Sequence, residues 1–316
     1  MTLPRGSRAC SALAFSHDCS FIAAADMTDD YQLHIFSMKA TPVKGKVPLL
    51  CSAKMDRKKI QMVMFHPSNP NELISVSTGS VVTWTITKQG QTETLKGKLH
   101  PNPASGVGFT AVAYSKDNTA YTGASDGCIY RWKGSSLQGK GEKLHEKMVS
   151  ALNIRADEKG KEILLTGSSD CTVKLFQIAG TKLTALHTLE VDGSPRSLDM
   201  YLGKVLVGTA FGTIQEIVLS TKASEDLILS HYDGEVWGLA IIDEENTFHY
   251  LTSGDDNSLL LYDIQTRRVE GRGYVNNDAT STKKFKGGAS TMSKKPPHQQ
   301  SRALAYNHEL NHLAVG

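Results

Sequence analysis

The 316-residue sequence predicts an all-β fold built from repeated units of about four short strands. Short apolar runs are bounded by turn residues, and no sustained helical stripe interrupts them. A ten-residue motif also recurs, first at 123–132 (GASDGCIYRW) and again at 167–176 (GSSDCTVKLF). Both copies hold an Asp six positions before an aromatic residue, and Asp256 and Tyr262 keep that offset. Such an internal repeat indicates a repeat architecture.

The spacing of the repeat indicates which architecture. The residues that end the third strand of each unit step by about 41 to 48 positions, and they are Phe36, Trp84, Trp132, Phe176, Ile217 and Tyr262. A period of about 40–45 residues with four strands is typical of a WD-type β-propeller blade. One blade cannot cover both of its faces, whereas blades stacked radially can. The sequence therefore predicts a WD-repeat β-propeller with six complete blades over 1–275.

Each predicted strand is a short apolar or alternating run that ends at a turn signal, such as His17-Asp18 or the HPSNPN stretch after Phe65. Unit by unit, the predicted strands are 9–16, 19–25, 31–36 and 47–52; 60–65, 72–77 and 81–86; 109–115, 118–123 and 128–132; 149–154, 162–167, 172–178 and 183–189; 197–200, 204–208 and 213–219; and 236–242, 249–253 and 259–264.

The end of the chain predicts the start of another blade. Residues 301–316 contain two strand-like runs, 301–306 and 313–316, with nothing after them. We therefore expect an incomplete ring that belongs to a larger tandem propeller, or a chain that is a fragment. A closed six-bladed ring is the competing interpretation, and it leaves these last strands without a blade.

The composition is that of a globular chain, with 40% hydrophobic and 21% charged residues. No apolar run approaches the roughly 18 residues of a spanning helix, and the first eleven residues lack the apolar core of a secretory signal. The five cysteines are scattered without a C-x-x-C pair, which favours small apolar packers in a reducing compartment over a disulfide or metal site.

The charge is concentrated in one segment. Residues 267–298 hold eight Lys or Arg against Glu270 and Asp278, a net charge of +6, so the rest of the chain carries −3 of the total of +3. Within this segment, 276–300 has almost no apolar residues and predicts a low-complexity insertion loop. It is either a solvated loop or a basic arm for an acidic partner.

Two sets of residues contain the histidine, hydroxyl and aspartate of a catalytic triad. One set comprises His231, Thr252 or Ser253, Asp256 and Tyr262, and a second comprises His145, Thr166, Asp170 and Phe176. A constellation that repeats favours a scaffold role, because an active site is needed once, and a hydrogen-bond chain would satisfy these buried groups. We therefore expect structural residues at the blade turns and no catalytic residue: Asp126, Asp170, Asp256, His145, His231, Trp132 and Trp237.

Other chemical signals are weak. The GVG at 106–108 precedes a strand rather than a helix, so it is a poor nucleotide signal. The pairs Asp29-Asp30 and Asp255-Asp256 fall at expected hairpin turns and lack a calcium-ligand loop. In the 130–132 stretch, Tyr130 and Trp132 share a strand face away from Arg131. We expect no cofactor, no metal, no nucleic acid and no membrane partner.

Three stretches resemble a known family. Residues 230–240 (SHYDGEVWGLA) resemble the GH-x-D-E-x-WGLA signature of the echinoderm microtubule-associated protein (EMAP-like) family, with Ser230 in place of Gly and Gly234 inserted. Residues 8–16 with 23–30 look like its RAVTCIAFS … CAVDDSNDH blade, and 65–67 with 82–86 look like its DFHP … YFWTL blade. The similarity covers nearly the whole chain except the insertion.

The resemblance implies tandem atypical propellers that bind tubulin, preceded by a HELP motif and often a coiled coil. The chain matches the family's second blade onward, into the first strands of the second propeller. We therefore expect a non-catalytic microtubule-associated scaffold in the cytoplasmic cytoskeleton, including cilia or axonemes. The candidate patch for acidic tubulin tails is Lys283, Lys284, Lys286, Lys294 and Lys295. A generic WD-repeat adaptor in another complex is the main alternative, and an enzyme is a third.

Overall fold

The computed structural model describes residues 9–41, 47–55, 58–90, 92–103, 106–231, 235–244, 247–274, 303–307 and 312–315. Within these ranges the chain forms β-strands and no helix, which confirms the all-β prediction. The strands assemble into six antiparallel sheets of the kind expected for WD-repeat blades, followed by a strand pair. Among the described residues, no helical segment has the length and apolarity needed to cross a bilayer. The predicted insertion at 276–300 lies outside the described residues.

The chain divides into two compact units, 1–188 and 189–316. In the first unit, each sheet follows chain order, so that neighbouring strands are joined by hairpins. Sheet 1 holds β1 (Cys10–Phe15), β2 (Phe21–Asp26), β3 (Gln32–Ser37) and β4 (Leu49–Lys54). Sheet 2 holds β5 (Ile60–Phe65), β6 (Glu72–Ser77), β7 (Val81–Gln89) and β8 (Thr92–Leu99).

Sheets 3 and 4 complete the first unit. Sheet 3 holds β9 (Phe109–Tyr114), β10 (Thr119–Ala124), β11 (Cys128–Lys133), β12 (Ser136–Leu137) and β13 (Glu142–Lys143). Both short strands pair with β11, so two fragments share the place of the fourth strand. Sheet 4 holds β14 (Val149–Ala156), β15 (Glu162–Ser168), β16 (Thr172–Ala179) and β17 (Lys182–Glu190), the last of which ends just past the division between the units.

The second unit contains two complete sheets and a strand pair. Sheet 5 holds β18 (Pro195–Tyr201), β19 (Lys204–Thr209), β20 (Ile214–Val218) and β21 (Ser224–Ile228). Sheet 6 holds β22 (Val236–Glu244), β23 (Thr247–Gly254), β24 (Ser258–Asp263) and β25 (Val269–Tyr274). The pair is β26 (Leu304–Asn307) with β27 (His312–Val315), which the sequence predicts as the start of a further blade.

The sheets repeat one backbone irregularity. A register shift interrupts the pairing of the first two strands close to where the first strand begins, at positions 10–12, 60–62, 109–111, 149–151, 195–197 and 236–238. A bulge bends a strand and increases its twist. Its return at the same place in all six sheets indicates that they are copies of one supersecondary unit.

Within the first unit, apolar residues from neighbouring sheets pack against each other. Alternate residues of a strand point to opposite faces, so Leu73 joins a core with sheet 1 whereas Ile74 joins a core with sheet 3. A third core joins sheets 3 and 4 and includes Tyr121 and Leu164. Both faces of these central sheets are therefore covered by neighbours, which explains why strands β6 and β10 are buried along most of their length.

Candidate functional site

The fourth sheet contains a buried network centred on His145, which lies just before β14. Nδ1 of His145 lies 3.2 Å from Oδ2 of Asp170 and 3.1 Å from Oγ1 of Thr172, and Nε2 lies 2.8 Å from Oγ1 of Thr166. Asp170 sits in the β15–β16 turn, where it accepts hydrogen bonds from the backbone amides of Thr172 and Glu146. The network thus joins the chain entering the sheet to its second and third strands.

Burial decides the charge state of this network. It lowers the pKa of His145, and the nearby Asp170 carboxylate opposes that effect without overcoming it. For Asp170, burial alone would raise the pKa, but hydrogen bonds from Thr172 and the proximity of His145 outweigh it and lower the pKa. A neutral imidazole can donate from one ring nitrogen to the carboxylate and accept a hydroxyl proton at the other.

The sixth sheet repeats this arrangement around His231. Nδ1 of His231 lies 2.9 Å from Oδ1 of Asp256 and 2.9 Å from Oγ of Ser258, and Nε2 lies 2.9 Å from Oγ1 of Thr252. A Cβ on Gly254 would lie 2.9 Å from Nδ1 of His231, so glycine leaves room for the ring. Tyr262 hydrogen-bonds Thr252, and burial raises the pKa of that phenol.

The third sheet divides these roles between other side chains. Asp126 accepts from the backbone amide of Cys128 at 2.9 Å and from the Tyr130 hydroxyl at 2.7 Å, so tyrosine occupies the place that histidine takes elsewhere. The indole N–H of Trp132 donates to Oγ1 of Thr122 at 2.9 Å, and Trp132 is completely buried.

The second sheet keeps the indole contact of this pattern. The N–H of Trp84 donates to Oγ of Ser75 at 2.8 Å, and Trp84 is buried. As in the third sheet, an aromatic residue of the third strand is tied to a hydroxyl of the second strand. The contact gives the buried indole N–H the partner that it needs.

A further network lies in the first sheet, and the order of residues in the sequence does not predict it. Nε2 of His34 lies 3.0 Å from Oδ2 of Asp26, and Nδ1 lies 2.7 Å from Oγ of Ser52. Burial would raise the pKa of Asp26, yet the hydrogen bonds from His34 and from the Gln32 amide lower it to about 2. Here the histidine lies on the third strand instead of before the first, so the order of residues that marks the other networks is absent.

The geometry around His145 resembles a Ser-His-Asp triad, with carboxylate, imidazole and hydroxyl in sequence. However, the Thr166 hydroxyl is fully buried, and its oxygen also lies 3.2 Å from the carbonyl oxygen of Lys174. A nucleophile must reach a substrate atom within about 3 Å. This buried hydroxyl has no such access, and the contacts that it makes join two strands of the hairpin.

The other predicted site residues are differently placed. Trp237 lies on β22 and is 49% exposed, and its indole N–H donates to Oδ1 of Asp255 at 3.0 Å. The five candidate lysines between 283 and 295 lie outside the described residues. Separately, His249, Asp263 and Glu270 bring three metal-binding atoms within 4.8 Å of one another.

Comparisons with known proteins agree with the repeat architecture. No protein-family model matches the chain. The ciliary WD repeat-containing protein ctxp80 of Euplotoides octocarinatus is 28% identical over 99% of the chain, and the chain covers 41% of that protein. The 77 kDa echinoderm microtubule-associated protein of Lytechinus variegatus is 24% identical over 77% of the chain, which covers 35% of it.

A mammalian protein is also similar to this chain. Echinoderm microtubule-associated protein-like 2 of Rattus norvegicus is 22% identical over 82% of the chain, which covers 38% of that protein. The chain thus spans about two fifths of the length of these relatives. The predicted resemblance is confirmed: the curated homologues of this chain are WD-repeat and EMAP-like proteins, at modest identity over most of its length.

Proposed function

We propose that this chain is a non-catalytic scaffold that binds tubulin or microtubules. The observation that carries the proposal is the similarity, over most of the chain, to proteins named as microtubule-associated or as ciliary WD-repeat proteins. The buried networks support it, since His145 and His231 are engaged in holding hairpins together. In this account the sheets form a rigid support, and the loops between strands carry the contacts.

The proposed contact with microtubules is electrostatic. The C-terminal tails of tubulin are acidic, and the 276–300 segment supplies five lysines in a stretch with almost no apolar residues. A basic, low-complexity arm of this composition suits an extended acidic peptide, because neither partner needs a preformed pocket. Attraction between exposed charges is screened by salt, so the contact weakens as ionic strength rises.

Co-sedimentation with stabilised microtubules tests the contact. The chain is compared with a variant lacking 280–296 and with one in which the five lysines are replaced by glutamine, which keeps the length of the segment. We expect both variants to bind more weakly than the parent at low salt, with a smaller difference at high salt. Microtubules from which proteolysis has removed the acidic tails should bind all three proteins alike.

Two outcomes would contradict this proposal, the first in its choice of contact segment and the second in its choice of partner. Unchanged co-sedimentation after deletion of 280–296 would show that another surface makes the contact. Absence of binding by the parent chain itself would favour a WD-repeat adaptor in a different complex. A ciliary location is part of the same proposal, and a fluorescently tagged chain expressed in ciliated cells should accumulate along the axoneme.

A further inference from the structure

Three neighbouring strands of sheet 6 bring together one imidazole and two carboxylates. His249 lies on β23, Asp263 ends β24, and Glu270 lies on β25. Their ligand atoms all lie within 4.8 Å of one another. The closest pair, Nε2 of His249 and Oε2 of Glu270, is 2.9 Å apart. Nothing in the hairpin networks around His231 uses these side chains.

The sheet register places these groups side by side. His249 and Asp263 are direct cross-strand partners. The pairing of β24 with β25 shifts between Leu261 and Tyr262, so that Glu270 is the extra residue of a β-bulge. A bulge re-aims a side chain relative to its neighbours. Here it brings the Glu270 carboxylate towards His249 instead of leaving it in regular alternation along the strand.

The distances suit a small divalent cation. Zinc binds imidazole nitrogen at about 2.0–2.1 Å and carboxylate oxygen at about 2.0–2.2 Å, so two ligands at a tetrahedral angle are about 3.3 Å apart. The observed 2.9 Å between His249 and Glu270 is therefore a few tenths of an ångström short of that spacing.

The net charge of the three side chains and the hydrogen bond that orients Asp263 also favour cation binding. With a neutral imidazole the group carries a charge of −2, which one divalent cation neutralises. The Asp263 carboxylate is already oriented, because the backbone amide of Thr266 donates to its Oδ1 at 2.5 Å. Outer contacts of this kind orient metal ligands.

We propose that His249, Asp263 and Glu270 form a zinc site on sheet 6. A ligand set with one imidazole and two carboxylates favours Zn²⁺ over Mg²⁺ or Ca²⁺, which take oxygen ligands. The Glu270 side chain is 51% exposed, so the fourth position faces solvent and takes a water molecule or a side chain from a partner. The ion clips the three outermost strands of this sheet together.

Isothermal titration of the metal-free chain with Zn²⁺ tests the site. We expect one site whose dissociation constant rises at least about tenfold in His249→Ala and in Glu270→Gln, because loss of outer-shell partners alone costs 10–100-fold. Zinc should also raise the melting temperature of the parent chain more than that of either variant. Cobalt bound in place of zinc should show the visible absorption of a tetrahedral complex, and this should be lost in His249→Ala.

The controls remove other zinc ligands of the same chemical types. The pair His187→Ala and Glu190→Gln removes an imidazole and a carboxylate from β17, and the pair Cys10→Ser and Cys19→Ser removes exposed thiols. Both control proteins should bind zinc as the parent does. Zinc affinity that is unchanged in His249→Ala and Glu270→Gln, or lost in a control pair instead, would overturn the proposal. Equal affinity for Mg²⁺ and Zn²⁺ would overturn the zinc assignment.

Discussion

Individual polar side chains close the hairpins of this protein, and they do so in more than one way. His145 and His231 each join a turn aspartate to a threonine of the second strand. Trp84 and Trp132 instead join an indole to a second-strand hydroxyl. Each solution gives buried donors and acceptors partners, and leaving such a group unsatisfied costs about 1–3 kcal/mol.

Replacement of His145 by alanine should lower the free energy of unfolding by about 3 kcal/mol, because it leaves Asp170 and Thr166 without their buried partner. Urea denaturation of the variant measures the loss. Thr184→Ala, an exposed position on β17, is the matched control and should change stability by less than about 0.5 kcal/mol. A loss at His145 as small as the control would show that the network is not structural.

Replacement of the two tryptophans that are predicted as structural residues should lower the stability of the protein by very different amounts. Trp132 is completely buried, so Trp132→Ala should cost about 3–5 kcal/mol of unfolding free energy through the cavity it leaves. Trp237 is 49% exposed, so Trp237→Ala should cost about 1 kcal/mol or less. Thermal and urea unfolding of both variants measure the difference, and equal losses would contradict the burial assigned to them.

Acid should destabilise the protein through His100. Burial, with a smaller effect of Lys98, lowers the pKa of His100 to about 4 from 6.5. The folded protein therefore favours the neutral imidazole, whereas the unfolded chain binds a proton once the pH falls below about 6.5. The free energy of unfolding is therefore highest above pH 6.5 and falls as the pH drops towards 4. The pKa difference between the two states corresponds to a loss of about 3 kcal/mol in unfolding free energy.

The comparison with His100→Gln isolates this effect from other titrating groups. The free energy of unfolding of the parent should fall more steeply with acid than that of the variant between pH 6.5 and pH 4. Guanidinium titrations at intervals of half a pH unit measure both curves. Parallel curves would show that burial of His100 does not perturb its pKa.

The first three strands of each sheet are predictable from the sequence, whereas most of the fourth strands are not. Strands such as β6 and β10 are buried along most of their length, so they appear in the sequence as apolar runs bounded by turns. The outer strands β8 and β21 are mostly exposed and rich in polar residues, and neither they nor β25 is among the predicted strands. A strand with one solvated edge needs no apolar run to hold its place.

The side-chain networks are also only partly predictable from the sequence. The partners of His145 and His231 lie where the residue order places them, because the order of turn, strand and histidine repeats along the chain. The His34–Asp26 pair is missed, since its histidine lies within β3 and leaves no repeated order. The proposed zinc ligands are also missed: they lie 14 and 7 residues apart, and only the sheet register brings them together.

The hairpin between β10 and β11 should tolerate no side chain at Gly127. Its φ is +82°, and an added Cβ would lie 2.1 Å from the carbonyl oxygen of His145. Gly127→Ala should therefore lower the free energy of unfolding by about 3 kcal/mol through clash and strain. Gly134→Ala is the matched control: its φ is +56° but its surroundings are open, so only about 1 kcal/mol should be lost. Urea denaturation decides, and equal losses would contradict the close packing at this turn.

At the scale of the whole molecule, the repeats, the sheets and the relatives support one another. The period in the sequence predicts WD-type blades, six sheets appear in the described residues, and the relatives are WD-repeat and EMAP-like proteins. A repeated constellation of histidine and aspartate favours support over catalysis. The basic segment gives the molecule its uneven charge, with −3 on the remainder of the chain. These features together are the grounds for the scaffold function that we propose.

A binding curve of this chain on microtubules is the decisive test of a microtubule-associated function. The bound fraction is measured by co-sedimentation over a range of microtubule concentrations, with actin filaments as a second acidic polymer. We expect saturable binding to microtubules and much weaker binding to actin at the same ionic strength. Binding to microtubules no greater than the background, or equal binding to both polymers, would contradict a microtubule-associated function.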